Sequence, residues 1–391
     1  MAGQTPVITA MAQSVSRLES ETWPAAKRIY RFIYNKRFDH QLLFAGVYRI
    51  ARCTVERERP ERLVVAIDPV NFEKPYARAL EGISTVHKST PPDHLGRPRL
   101  ARGYPAITAT VVNTQVPAIS YANWFSYKAA DFISENWEIY RAMRTTREVF
   151  AQHRLRFVAD AGLDDQKIFA WMDQLDADFV IRASHLERRI EVYNPRLDRW
   201  ESEILQDLVD TVPFEVTFQV AFTHAGRTRL AKVRLGWFLI RLPETQQQLW
   251  VLVAEDITEQ RTLVLLTNVP LIDLQQVKAV YGDWRLRGHI EHGYRFDQEQ
   301  GLDVEDLRVR TLERMRRLFA LVLLAAMFVF YLMKTWPSKA VYWLRMLGGK
   351  LALSTDRDGP YILLRGISAV LQTVTTVTFL ARHPFPHDAF P

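Results

Sequence analysis

Residues 154–183 read "RLRFVADAGLDDQKIFAWMDQLDADFVIRA". The stretch opens with a short apolar run, 154–162, that has the character of a buried strand and ends in an acid, Asp160, before Ala161 and Gly162. Residues 164–176 carry apolar positions at helical spacing, and "ADFVIRA" (177–183) returns to the strand type. Strand, acid, helix and strand in succession mark an α/β protein. The four acids Asp164, Asp165, Asp173 and Asp176 fall on the expected helix and read as solvated, with Asp164 close enough to compete with Asp160 as a ligand.

Upstream, "RLVVAID" (62–68) is a second buried strand that delivers an acid, Asp68. "PAITATVV" (105–112) and "VPAISYANW" (116–124) read as a hairpin pair, and residues 127–153 as one long helix. Beyond 183 the pattern changes. "RIEVY" (189–193), "FEVTFQVAF" (214–222), "RLAKVRLGWFLIRL" (229–242) and "LWVLVAED" (249–256) alternate in β fashion, a β-rich insertion. "RTLVLLTN" (261–268) is again a buried strand, and a helix beginning near 270 leads into "WRLRGHIEHGYRFDQEQG" (284–301). There Trp284, Arg287, Glu291 and Gln298 fall along one stripe of an α-helix. The first 60 residues carry helical spacing throughout. The expected organisation is a helical region (1–60), an α/β core (61–183), the insertion (184–260), the rest of the core with the Glu291 helix (261–335), and a C-terminal helical region with a loose tail (336–391).

An ionised carboxylate delivered by a buried strand needs a partner or a metal. Two such strands and an acid on a helical stripe imply a site. Asp68 and Asp160 on neighbouring strands can share a divalent cation, with Glu291 completing a two-metal clamp. Oxygen ligands without thiols point to Mg²⁺ or Mn²⁺, and two such ions suit phosphodiester chemistry. Against this stand the ordinary alternatives: either Asp caps a following turn, and Arg287 simply pairs with Glu291. His289 and His292 lack the i,i+4 spacing of a helical zinc pair. No glycine-rich phosphate loop is present to bind ATP.

The 391-residue chain has 51 Lys and Arg against 44 Asp and Glu, a formal charge of +7. Basic residues interleave with aromatics at 27–37, 49–62, 96–103 and 141–156, which suits a polyanion such as DNA. Arg97, Arg99 and Arg102 in the third cluster are candidate phosphate contacts. The single cysteine, Cys53, excludes an internal disulfide and a Cys-rich zinc site. No signal-peptide pattern opens the sequence, so a cytoplasmic chain is expected. The apolar run 318–333 spans about 24 Å as a helix, short of the roughly 30 Å membrane core. It reads as a buried helix, and with no second span recognised, no membrane partner is expected.

"LVVAIDPV", "RFVADAGLDDQKIFAWM" with "FVIRA", "LVLLTNVP" and "YGDWRLRGHIEHGYRFDQEQGLD" together resemble the DDE transposases of bacterial insertion sequences, in the group with a β-strand insertion before the Glu. The resemblance covers about residues 60–330. It implies a ribonuclease H-like mixed sheet flanked by helices, with a β-rich insertion and an N-terminal helical domain. The family element Tyr-x2-Arg-x3-Glu-x6-Lys aligns with Trp284, Arg287, Glu291 and Gln298. Trp for Tyr is mild. Gln298 for Lys removes a cation that would contact transposon-end DNA, for which Arg295 or Arg308 is a nearby substitute. The resemblance further implies Asp68, Asp160 and Glu291 as catalytic metal ligands for two Mg²⁺ or Mn²⁺ ions. It also implies terminal inverted repeats and target DNA as partners, a homodimer on paired ends, and a nucleoid-associated location. Two other readings stay open: a domesticated relative that binds DNA without cutting it, and a metal-independent carboxylate hydrolase.

Overall fold

The structure is a computed structural model that describes the chain except residues 75, 76, 78, 89, 91–94, 225, 226, 291–305, 308, 350–358 and 383–391. Three helices, α1 (Ile8–Val15), α2 (Glu19–Tyr34) and α3 (Gln41–Glu58), precede strand β1 (Leu63–Glu73). Strands β2 (Ser84–His87), β3 (Leu100–Val111) and β4 (Ala118–Trp124) follow, then α4 (Glu135–Val149), β5 (Leu155–Ala159), α5 (Gln166–Gln174) and β6 (Asp178–Arg182). β3 runs antiparallel to β1 and β4, whereas β5 is parallel to both β1 and β6. This mixed order, antiparallel on one side of β1 and parallel on the other, is that of the mixed sheet flanked by helices that was expected.

Alternation along the strands divides the core into two faces. Val65, Ile67, Phe157, Ala159, Phe179 and Ile181 pack against Ile139, Ala142 and Met143 of α4 and Ile168, Phe169 and Met172 of α5. The intervening Val64, Ala66, Val158 and Val180 pack against Val277, Val280 and Tyr281 of α7 (Leu274–Arg285). Both faces are apolar because helices cover both sides of these strands. A fully buried side chain of this size contributes about 1.5–3 kcal/mol.

The strands after β6 extend the same sheet. They are β7 (Arg189–Asn194), β8 (Arg199–Ile204), β9 (Val216–His224), β10 (Arg227–Arg241), β11 (Gln248–Asp256) and β12 (Arg261–Thr267), with the short α6 (Leu205–Thr211) between β8 and β9. β12 returns antiparallel to β6, so the order runs β2-β3-β1-β5-β6-β12-β11-β10-β7-β8 among the described residues, with β4 on β3 and β9 on β10.

Three helices follow: α8 (Leu312–Thr335), α9 (Ser338–Gly349) and α10 (Pro360–Arg382). α8 lies in a second core with Ala25, Ala26 and Ile33 of α2, Phe44 and Val47 of α3, and Phe72, Tyr104 and Trp124 of the sheet. The buried Arg317 ties α8 to α2 by donating to the carbonyls of Ile33 (2.7 Å) and Asn35 (2.9 Å) at the α2 C-terminus. These are carbonyls the helix leaves without internal partners, at the end where a cation is favoured.

Two sequence expectations change here. The helix expected over 127–153 begins only at Glu135. Ser134, in extended backbone, caps it by accepting the Trp137 N–H at 3.1 Å, which stops helical structure from extending upstream. The sequence reading also found a single, short apolar helix, but α8 has 24 residues, and α10 is a second helix long and apolar enough to cross a membrane. α8 is longer than its uncharged run because Arg314, Arg316 and Arg317 lie within the helix. In α10 the apolar positions are broken up by threonines, which masks the pattern. Thr373, Thr375, Thr376 and Thr378 each return a hydroxyl to the carbonyl four residues earlier. α8 is mostly buried and α10 mostly exposed.

Candidate active site

Strand register assembles the site. Ala66 of β1 pairs with Val158 of the parallel strand β5, and two residues further along each strand come Asp68 and Asp160. Parallel neighbours lie about 4.8 Å apart, so Asp68, midway along β1, and Asp160, just past the end of β5, stand side by side. Both continue the even-numbered series, Val64 and Ala66 on one strand and Val158 on the other, which faces α7. One register step past the Ala159–Ile181 pair sets Arg182 of β6 beside Asp160. Asp68, Asp160, Gly162, Arg182 and Ser184 are among the residues lining a cavity of about 600 Å³.

Asp160 is held from three directions. Its Oδ1 accepts the Ala161 N–H at 2.9 Å, the cap of a 3-10 turn over Ala161–Leu163. Arg182 Nη1 stands 3.5 Å from Oδ1 and Arg287 Nη2 3.6 Å from Oδ2. The guanidinium of Arg287 lies 5.9 Å from the Trp284 ring centroid, and Trp284 Nε1 donates to the Ala159 carbonyl at 3.3 Å. The end of α7 is thus fastened to the strand that presents Asp160. The expected continuous helical stripe is interrupted: α7 ends at Arg285, and Leu286–His289 form a 3-10 turn. Among the described residues Arg287 pairs with Asp160. His289 donates Nδ1–H to the Val112 carbonyl at 3.2 Å, which fixes the ring against the end of β3.

Glu291, Arg295 and Gln298 lie outside the described residues. Arg97 and Arg99 are exposed ahead of β3, and Arg102 donates Nη1 to the Ala77 carbonyl at 3.2 Å. Asp68 faces Thr108 on β3, so Arg102, six residues away, stands about 20 Å along the strand from the paired acids. These three arginines are not part of the acidic site.

Asp164 departs from its expected solvated position. It is buried, accepts the backbone N–H of Ser184 at 2.7 Å and of His185 at 3.2 Å, and pairs with Arg188. With its oxygens committed in this way, it anchors the chain leaving β6 and does not compete with Asp160 as a ligand. Asp165 caps α5 by accepting the Lys167 N–H at 2.7 Å, and Asp173 accepts from Asn268 at 3.1 Å. Sequence spacing places an acid near a helix but not its depth, which depends on what the following strand and loop cover.

The sequence also passed over a buried charge network behind the site. Asp283 of α7 accepts from Arg156 of β5 at 2.6 Å and Arg62 at 2.9 Å, and Arg156 bonds Asp178 of β6 at 3.0 Å. The signal was an arginine within the apolar run of β5: a buried cation must be paired.

Among the described residues no three His, Cys, Asp or Glu side chains cluster as a metal site. The pair Asp68 and Asp160 is a donor set of carboxylate oxygens at the mouth of an open cavity, a fit to a hard divalent cation that takes its further ligands from water or substrate.

Residues 139–328 match the family model described as the transposase DDE domain. The likeness to DDE transposases expected from the sequence is thereby shown. The matched segment contains Asp160, Arg182, Trp284, Arg287 and Glu291 and begins after Asp68. A similar solved structure is that of a piggyBac transposase synaptic complex with hairpin DNA, at 9% identity and a TM-score of 0.43, over 83% of this chain and 55% of that one. This chain therefore spans about half the length of that relative. No curated protein matches the chain.

Proposed function

We propose, from the transposase DDE domain matched at residues 139–328, that this chain is a DNA transposase. In this reading it binds the terminal inverted repeats of its element, cleaves the phosphodiester at the ends and joins the freed 3′-OH to target DNA. The observation that carries the reading is the placement of Asp68 and Asp160 in register on adjacent parallel strands, on the face that α7 covers. Asp68, Asp160 and Glu291 would hold two Mg²⁺ or Mn²⁺ ions. Bound there, such ions activate the attacking oxygen and stabilise the leaving one.

The chain's own residues supply position and charge. The Ala161 N–H fixes one oxygen of Asp160, and the fastening of Trp284 to the Ala159 carbonyl holds the end of α7 over the end of β5. Arg287 and Arg182 set positive charge beside the cavity, where a phosphodiester would lie. Arg97, Arg99 and Arg102, with the exposed basic residues of α2, are assigned to the DNA backbone away from the acids. A homodimer on paired ends, in a cytoplasmic and nucleoid-associated enzyme, completes the proposal.

The test is cleavage of a labelled duplex carrying the inverted repeats that flank the gene, in Mg²⁺ or Mn²⁺, by wild type and by Glu291→Gln. Nicking at the repeat boundary by wild type alone is the expected result. Binding without nicking would identify a DNA-binding relative, and hydrolysis of another substrate insensitive to EDTA would identify a carboxylate hydrolase. Either result overturns the proposal.

A further inference from the structure

We propose that Arg182 is a positioning residue that occupies the Asp160 carboxylate until DNA draws it away, so that metal and DNA bind this site cooperatively. The inference rests on the assignment of Asp160 as a metal ligand. Each oxygen of Asp160 faces its own guanidinium, Arg182 on Oδ1 at 3.5 Å and Arg287 on Oδ2 at 3.6 Å. A divalent cation ligated by Oδ1 and a guanidinium resting on that same oxygen repel each other, so one displaces the other.

The two arginines differ in their freedom to leave. Arg287 has a side chain only 18% exposed, set over Trp284, whose ring nitrogen is bonded to the strand end. Arg182 has a side chain 51% exposed, at the last residue of β6, and lines the open cavity of about 600 Å³. A phosphodiester entering that cavity offers Arg182 an anion that matches its planar fork. Arg182 then turns from Asp160 to phosphate, and Oδ1 is uncovered for the cation. Coupling of this kind is reciprocal: DNA raises the affinity for metal by the factor by which metal raises the affinity for DNA.

The experiment measures Mn²⁺ binding to the full chain by electron paramagnetic resonance, alone and with a short duplex, after subtracting the Mn²⁺ taken up by the duplex itself. For wild type the duplex tightens Mn²⁺ binding by about two- to five-fold, the scale of one partly exposed ion pair. Arg182→Gln binds Mn²⁺ about two- to five-fold more tightly than wild type without DNA and gains nothing from the duplex. Arg182→Lys, which keeps the charge, restores the coupling. Equal affinity of wild type and Arg182→Gln without DNA, or coupling that survives in Arg182→Gln, overturns the role of Arg182 and leaves the metal site standing. Absence of Mn²⁺ binding by both proteins in both conditions overturns the metal site, and this proposal with it.

Discussion

Asp160 and Asp164 are four residues apart, and their surroundings make them opposite in kind. Asp160 stands at the mouth of a cavity with two arginines 3.5 and 3.6 Å away, while Asp164 is buried among two backbone N–H groups and Arg188. Asp160→Asn keeps an oxygen able to accept the Ala161 N–H, so the 3-10 turn persists. Its melting temperature should stay near that of wild type while cleavage falls by at least about 100-fold, the scale of losing one charge-stabilising group. Asp164→Ala removes the partner of a largely buried arginine, which costs about 3–5 kcal/mol. Urea denaturation should show that loss, and a midpoint unchanged from wild type would contradict the anchoring role. Both acids were visible in the sequence as chemistry. Their division into site and scaffold was not, because it depends on which residues of the β6 exit loop fold over Asp164.

At the scale of elements, caps and contacts set where helices end and how they dock. Ser134 starts α4, Asp273 starts α7 by accepting the Gln276 N–H at 2.8 Å, and Arg317 of α8 closes the end of α2. α9 and α10 meet backbone to backbone. A methyl group on Gly366 would collide with the Leu344 carbonyl, and one on Gly348 with that of Ile362. Gly366→Ala should therefore part the two helices at a cost of about 1–3 kcal/mol. Limited proteolysis of α10 should then be faster than in wild type, and an unchanged rate would show that the helices part without cost or were never in contact. Periodicity read in the sequence located most of these elements. It missed α10 as an apolar helix because its threonines, each bonded back to its own helix, interrupt the apolar run.

For the molecule as a whole, the consequences concern DNA and metal together. A basic chain bound to phosphates releases counterions, so DNA affinity should fall steeply between about 50 and 200 mM salt. A filter-binding titration that is flat over this range would remove DNA as the partner. EDTA should abolish nicking while leaving most DNA binding, because Arg102 lies about 20 Å along β3 from the acids and Arg97 and Arg99 precede that strand. Loss of binding and nicking at the same chelator concentration would place the main DNA contacts in the metal site itself.

Local pattern was enough for most of the strands, though not for β2 and β8, for the delivery of Asp68 and Asp160 by buried strands, and for the α/β class. Alternation, β-branched runs and helical spacing act over a few residues and are legible in order along the chain. Packing in three dimensions pairs Ala66 with Val158 and thereby sets Asp68 beside Asp160. It also decided that Arg182 and Arg287 converge on one carboxylate, that Arg156 and Asp283 bury together behind it, and that α8 is covered while α10 is exposed. Register, ion-pair partners and burial are chosen among segments distant in sequence, by which faces close over one another when the sheet and its helices pack, and no local pattern encodes that choice.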